Sequence, residues 1–101
     1  MKLMTKELLA QFAKVQGEGT IALAKFFNPT GNWTWYASEF DPETGIFFGL
    51  VSGFEVEYGS FSLEELQSFR GPFGLGIERD LYFTPRPLRE IQRDIIQGVH
   101  V

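Results

Sequence analysis

Cysteine is absent from these 101 residues. That excludes disulfides and thiolate metal sites, and it removes the covalent staples that a small secreted domain usually needs. Histidine occurs once, as His100, beside the last residue. One imidazole near a chain end leaves no Ser–His–Asp or Cys–His arrangement and too few ligands for zinc. No apolar stretch reaches the roughly 18 residues of a membrane span. The opening Met1-Lys2-Leu3-Met4-Thr5-Lys6 runs at once into a charged amphipathic segment, unlike a secretion signal. The cytoplasm is the expected location, and no membrane contact is expected.

Positive charge is missing from the middle of the chain. All four lysines end at Lys25 and all five arginines begin at Arg70. Residues 26–69 carry Glu39, Asp41, Glu43, Glu55, Glu57, Glu64 and Glu65 without one cation, against a net charge of −4 for the whole chain. Nucleic acid is a poor partner for such a segment; a basic protein is a better one.

Aromatic residues are abundant, with 11 Phe, 3 Tyr and 2 Trp. Each buries a large area, so a few can fill a small core. The length fits one domain, 1–101. Leu8, Phe12 and Val15 predict a helix over 5–15, capped by Thr5 and ended by Gly17 and Gly19. Ile21–Phe27, Trp33–Phe40, Ile46–Val51 and Phe54–Tyr58 predict four strands separated by turn residues. In the last of these, Phe54, Val56 and Tyr58 are expected to face the core and Glu55 and Glu57 water. Ser62-Leu63-Glu64-Glu65 is a capping box and starts a second helix, with Leu63, Leu66 and Phe69 as its buried edge. Gly71-Pro72 ends it. Asp80–Thr84 is expected as a short edge strand. Pro87 opens a third helix with Leu88, Ile91 and Ile95 inward and Gly98 after its end. The fold class is therefore α+β: an antiparallel meander of four to five strands with an N-terminal helix, a short middle helix and a C-terminal helix.

Candidate chemistry is sparse. Gly71, Gly74 and Gly76 lack the spacing and the Lys-Ser/Thr pair of a phosphate loop, and read as turn glycines. Glu39, Asp41 and Glu43 lack the ligand alternation of a calcium loop. Asp41 reads as the cap of a hairpin turn. Arg86, Arg89 and Arg93 share one face in helical spacing, which fits local ion pairs or an anion contact. Arg79 within Glu78-Arg79-Asp80 could clamp a carboxylate. No catalytic residue, cofactor or metal ligand is assigned.

Several pieces carry a family resemblance. They are Thr34-Trp35, Ser38-Glu39-Phe40-Asp41-Pro42, Phe48-Gly49-Leu50, the run from Glu57 to Leu66, Arg70-Gly71-Pro72, Gly74-Leu75, Glu78-Arg79-Asp80 and Phe83. Lys25-Phe26-Phe27 with Pro29 and Leu3-Met4-Thr5 also fit. In this order and spacing, over roughly residues 3 to 90, the chain resembles domain-of-unknown-function family 2958. The resemblance implies a small bacterial protein of a mobile element, with no activity attached. Tyr82 stands where many members carry His, which argues against a titrating role there, and residues between Gly49 and Glu57 depart from the common pattern.

The expected function is a non-enzymatic protein-interaction module. Its candidate surface is acidic and aromatic: Trp33, Trp35, Glu39, Asp41, Glu55 and Glu57. Arg79, Asp80, Arg86, Arg89 and Arg93 are candidate structural or anion contacts. Two alternatives stay open. One is a small-ligand site or minor enzyme at the Gly71–Asp80 loop with Arg79 and Tyr82. The other is an acidic nucleic-acid mimic acting on a host defence protein.

Overall fold

The computed structural model describes residues 2–15 and 19–99. Gly17, an expected helix terminator, and His100 lie outside the described residues. Helix α1 (Lys6–Lys14) starts where Thr5 Oγ1 accepts from the Leu8 amide at 3.2 Å, as its capping sequence predicts. Leu8 and Phe12 turn inward from it. The strands are β1 (Ile21–Ala22), β2 (Ala24–Phe27), β3 (Thr34–Asp41), β4 (Ile46–Ser52) and β5 (Val56–Ser62). Then come α2 (Leu63–Ser68), β6 (Glu78–Arg79), β7 (Arg86–Pro87) and α3 (Leu88–Ile96).

The main sheet is antiparallel, in the order β5-β4-β3-β2-β6. Neighbours in sequence are neighbours in space from β2 to β5, because each joins the next through a short turn. At the tip of the β3–β4 hairpin the Asp41 carboxylate accepts from the Glu43 amide at 2.9 Å, and Gly45 takes φ +72°. The three-helix α+β architecture is the one predicted.

Both faces of the sheet carry helices. On one, α1 and α2 lay Leu8, Phe12 and Leu66 on Phe26, Ala37 and Phe47. On the other, α3 lays Leu88 and Ile91 on Tyr36 and Leu50. A β-bulge at Ser38 shifts the register between β3 and β4. It lets Ala37 and Phe40, an odd number of residues apart, face the same core. The buried Ser38 hydroxyl donates to the Phe48 carbonyl at 3.2 Å.

Five sequence expectations need correction. The stretch Ile21–Phe27 is two strands: at Leu23 the chain leaves the main sheet, and Ile21 and Ala22 pair instead with Pro87 and Arg86. That pairing holds Pro87 extended (ψ 135°), so α3 begins at Leu88, whose amide donates to the Thr20 carbonyl at 2.8 Å. The edge strand is Glu78–Arg79, not Asp80–Thr84. From Asp80 the chain turns, with the Asp80 carboxylate accepting from the Tyr82 amide at 2.9 Å. Finally, β5 begins at Val56. Phe54 lies in the preceding turn and is 96% exposed, and Phe69 falls just beyond α2 with its ring partly in solvent.

Candidate functional site

The face that carries α1 and α2 is covered at one end only. Directly paired residues share a face, so its side chains form rows across β3, β4 and β5. Phe40, Phe47 and Phe61 make the first row, with rings 4.6 and 5.3 Å apart, beneath the helices. Ala37, Gly49 and Gly59 make the second. Trp35, Val51 and Glu57 make the third. The middle row carries nothing larger than a methyl group, and with Ala37 and Gly49 buried it makes a trough that opens at its β5 end. At its β5 end the space above Gly59 is open: an added β-carbon would meet no atom within 4 Å.

Beyond the trough the tryptophans form a shelf. Trp33 stacks on Trp35 at 6.1 Å and lies across Gly53, and the exposed Phe54 ring meets it edge-on at 5.6 Å. Between this shelf and α2 runs a groove of about 310 Å³, walled by Trp33, Trp35, Phe61, Leu66, Phe69 and Ile77. Ser62 and the exposed Glu65 also line it. Its walls are apolar, and the carboxylates near it are Glu65, Glu57 in the Trp35 row, and Glu55 directly after Phe54. Arg70, at the end of α2, is folded back onto the carbonyls of Gln67 and Phe69 at 2.8 and 2.7 Å.

Of the residues predicted from sequence, Trp33, Trp35, Glu55 and Glu57 therefore meet at one end of the sheet. Glu39 and Asp41 do not join them. Asp41 lies six residues along β3 from Trp35, about 20 Å away in a strand, and its carboxylate holds the hairpin turn. Glu39 pairs with Phe48 on the α3 face, past the bulge, and its side chain lies against Gly19. Phe61, Glu65, Leu66 and Phe69 were missed as lining residues, because only the strand register and the return of α2 over the sheet bring them to the tryptophans. The sequence signal that marks the trough is the glycine pair, Gly49 and Gly59, at facing strand positions.

Two of the arginine candidates, Arg86 and Arg93, are tied into ion pairs. Arg86 belongs to β7, not to the helix, and reaches Asp94 at 2.7 Å and Glu90 at 3.6 Å. Arg93 meets the same Asp94 at 3.1 Å, and Arg89 is exposed. Hydrogen bonding from Arg86, more than any other influence, holds the Asp94 carboxyl below its ordinary range, and the same bond raises Arg86. Asp80 pairs with Lys25 at 3.8 Å. Arg79 is half-buried opposite Phe26.

The Gly71–Asp80 loop is divided between two recesses. Arg79, Asp80 and Tyr82 line one of about 470 Å³ together with Lys25, while Gly74 and Gly76 line another of about 290 Å³ with Arg70. The glycines thus stand apart from Arg79, Asp80 and Tyr82, while Glu78 lines both recesses. At the loop tip Phe73 is 97% exposed with φ +61°, followed by Gly74 at +73°. On the α3 face, burial pushes the Tyr36 phenol up to about 12. Among the described residues no group of three or more His, Cys, Asp or Glu is placed to hold a metal ion, and no helix is long and apolar enough to cross a membrane.

The sequence model of one protein family, described as protein of unknown function (DUF2958), matches residues 2–93. No curated protein and no solved structure matches the chain.

Proposed function

The chain belongs to this DUF2958 family, whose description assigns no activity, and on that premise we propose that it is a protein-recognition module without catalysis of its own. Its contact surface is the tryptophan shelf with the groove beside it. The observation that carries this reading is the row Phe54–Trp33–Trp35 running into an apolar groove near which Glu55, Glu57 and Glu65 stand. A side chain as large as Phe54, left 96% in water, gains nothing from burial in the free chain. Aromatic anchors of this kind dominate binding energy once a partner excludes the water around them.

The partner is a protein that presents apolar side chains flanked by lysine or arginine. Carboxylates at the rim steer such a partner and repel acidic ones. Nucleic acid does not suit this surface. The setting is the cytoplasm of a bacterium carrying a mobile element, the context that the family resemblance implies.

The test is photo-cross-linking from position 54 in lysate of expressing bacterial cells at graded salt. A discrete protein adduct is expected, weakened by salt and lost when Trp33 is replaced by alanine. If no discrete adduct forms even at low salt, the reading fails.

A further inference from the structure

The two edges of the main sheet are unequal. At one, β6 is two residues long; at the other, β5 offers seven. Among the described residues, none pairs with the outer side of β5. Exposed edges are usually blunted by proline, lysine, a bulge or shortness. From Val56 to Ser62 there is no proline and no lysine, and the β4–β5 register runs without a shift.

The phase of the ladder fixes which groups are available. The Leu63 amide donates to the Gly45 carbonyl at 2.9 Å, in line with the β4–β5 register. Alternation along an antiparallel pair then turns the backbone groups of Glu57, Gly59 and Phe61 toward β4, and those of Tyr58 and Ser60 outward. The outward groups form a free hydrogen-bonding edge. On the groove face, the same strand offers in succession the Glu57 carboxylate, the open space above Gly59 and the Phe61 ring.

We propose that β5 takes up an extended peptide segment as a sixth strand, antiparallel, with a basic residue across from Glu57 and a large apolar residue across from Gly59. The inference rests on the reading of the tryptophan groove as a protein-recognition site, and adds how the partner is held. Backbone bonds to Tyr58 and Ser60 supply affinity, and alternate side chains supply specificity. The apolar side chain enters the trough at Gly59, between Glu57 and Phe61. The basic one meets the carboxylate, two residues away on the same face.

The probe is a capped heptapeptide, Thr-Val-Thr-Leu-Thr-Lys-Thr, titrated while following emission from Trp33 and Trp35, the chain's two tryptophans. Saturable binding at one peptide per chain is expected. N-methylation of its third and fifth residues, whose amides would face Tyr58 and Ser60, should weaken binding at least about tenfold, while methylation of the fourth and sixth should not. Exchanging the lysine for glutamate should also weaken it. Gly59→Val should leave the thermal midpoint intact and abolish binding, since the open space above Gly59 would be filled. Equal effects of the two methylation patterns, or undiminished binding by Gly59→Val, would overturn strand addition. In that event a persisting adduct at position 54 would leave the recognition reading standing. A β5-to-β5 dimer that the peptide does not dissociate, seen by sedimentation, would also overturn it.

Discussion

The carbonyl oxygen of Tyr36 occupies the place where a β-carbon on Gly49 would have to sit. The two residues lie on adjacent strands, one pair short of the bulge at Ser38. Glycine at 49 is therefore required by the backbone of a neighbouring strand, which cannot yield as a side chain can. Gly49→Ala should destabilise the fold by about 1–3 kcal/mol, the usual cost of overpacking. Gly59→Ala, in the same row but with open space before it, should leave stability nearly unchanged. Urea midpoints of the two variants make the comparison.

Ser62 both ends β5 and caps α2, its hydroxyl accepting from the Glu65 amide at 3.2 Å. Ser62→Ala should cost about 1 kcal/mol. Because α2 forms one wall of the groove, the same variant should shift tryptophan emission before global unfolding, in a thermal scan read at both emission and far-ultraviolet dichroism.

The Tyr36 phenol is raised from 10.0 to about 12 by burial. A folded-state value above the unfolded one means the stabilisation is complete below the unfolded value and is lost as pH rises toward the folded one. Thermal stability should therefore decline across that alkaline window, and Tyr36→Phe should flatten the decline. Melting curves of both proteins over the window are the measurement.

Asp94 behaves in the opposite sense. Its carboxyl is held down first by the hydrogen bond from Arg86, so its stabilising contribution is present above the ordinary aspartate value and lost as pH falls through the lowered one. Asp94→Asn should narrow the difference between neutral and acid stability. Its effect should also shrink with added salt, because the Arg93 side of the pair is exposed.

Phe73 sits in the left-handed region with its ring in solvent. For a bulky side chain that conformation costs about 1–2 kcal/mol, and exposure returns nothing. Phe73→Gly should raise the thermal midpoint by a few degrees. A drop would show that the ring is packed in solution.

What the sequence made legible is mostly local. Thr5, Ser62, Asp41 and Gly98 each act within a few residues, and each caps or turns the chain where its side chain or backbone freedom predicts. The errors share a different cause. Ile21 and Ala22 leave the strand pattern because Arg86 and Pro87, far along the chain, offer them a partner. Phe54 alternates correctly with Val56 and Tyr58 in sequence, yet falls in the turn before the ladder begins. Ser38 shows no mark of a bulge, and without the bulge Glu39 would share a face with Trp35. The candidate surface was half visible for the same reason: Trp33, Trp35, Glu55 and Glu57 converge through register alone, while Glu39 and Asp41 stand at the other end of β3.

The inequality of the sheet's two edges also limits what this protein can build. A chain that can accept a strand on one side only is monovalent in the sense a polymer chemist would use. Joined to a partner's strand it makes a closed one-to-one complex, and joined to itself through β5 it stops at two copies. Filaments grow by adding strands at both margins, so the two-residue length of β6 acts as a chain terminator.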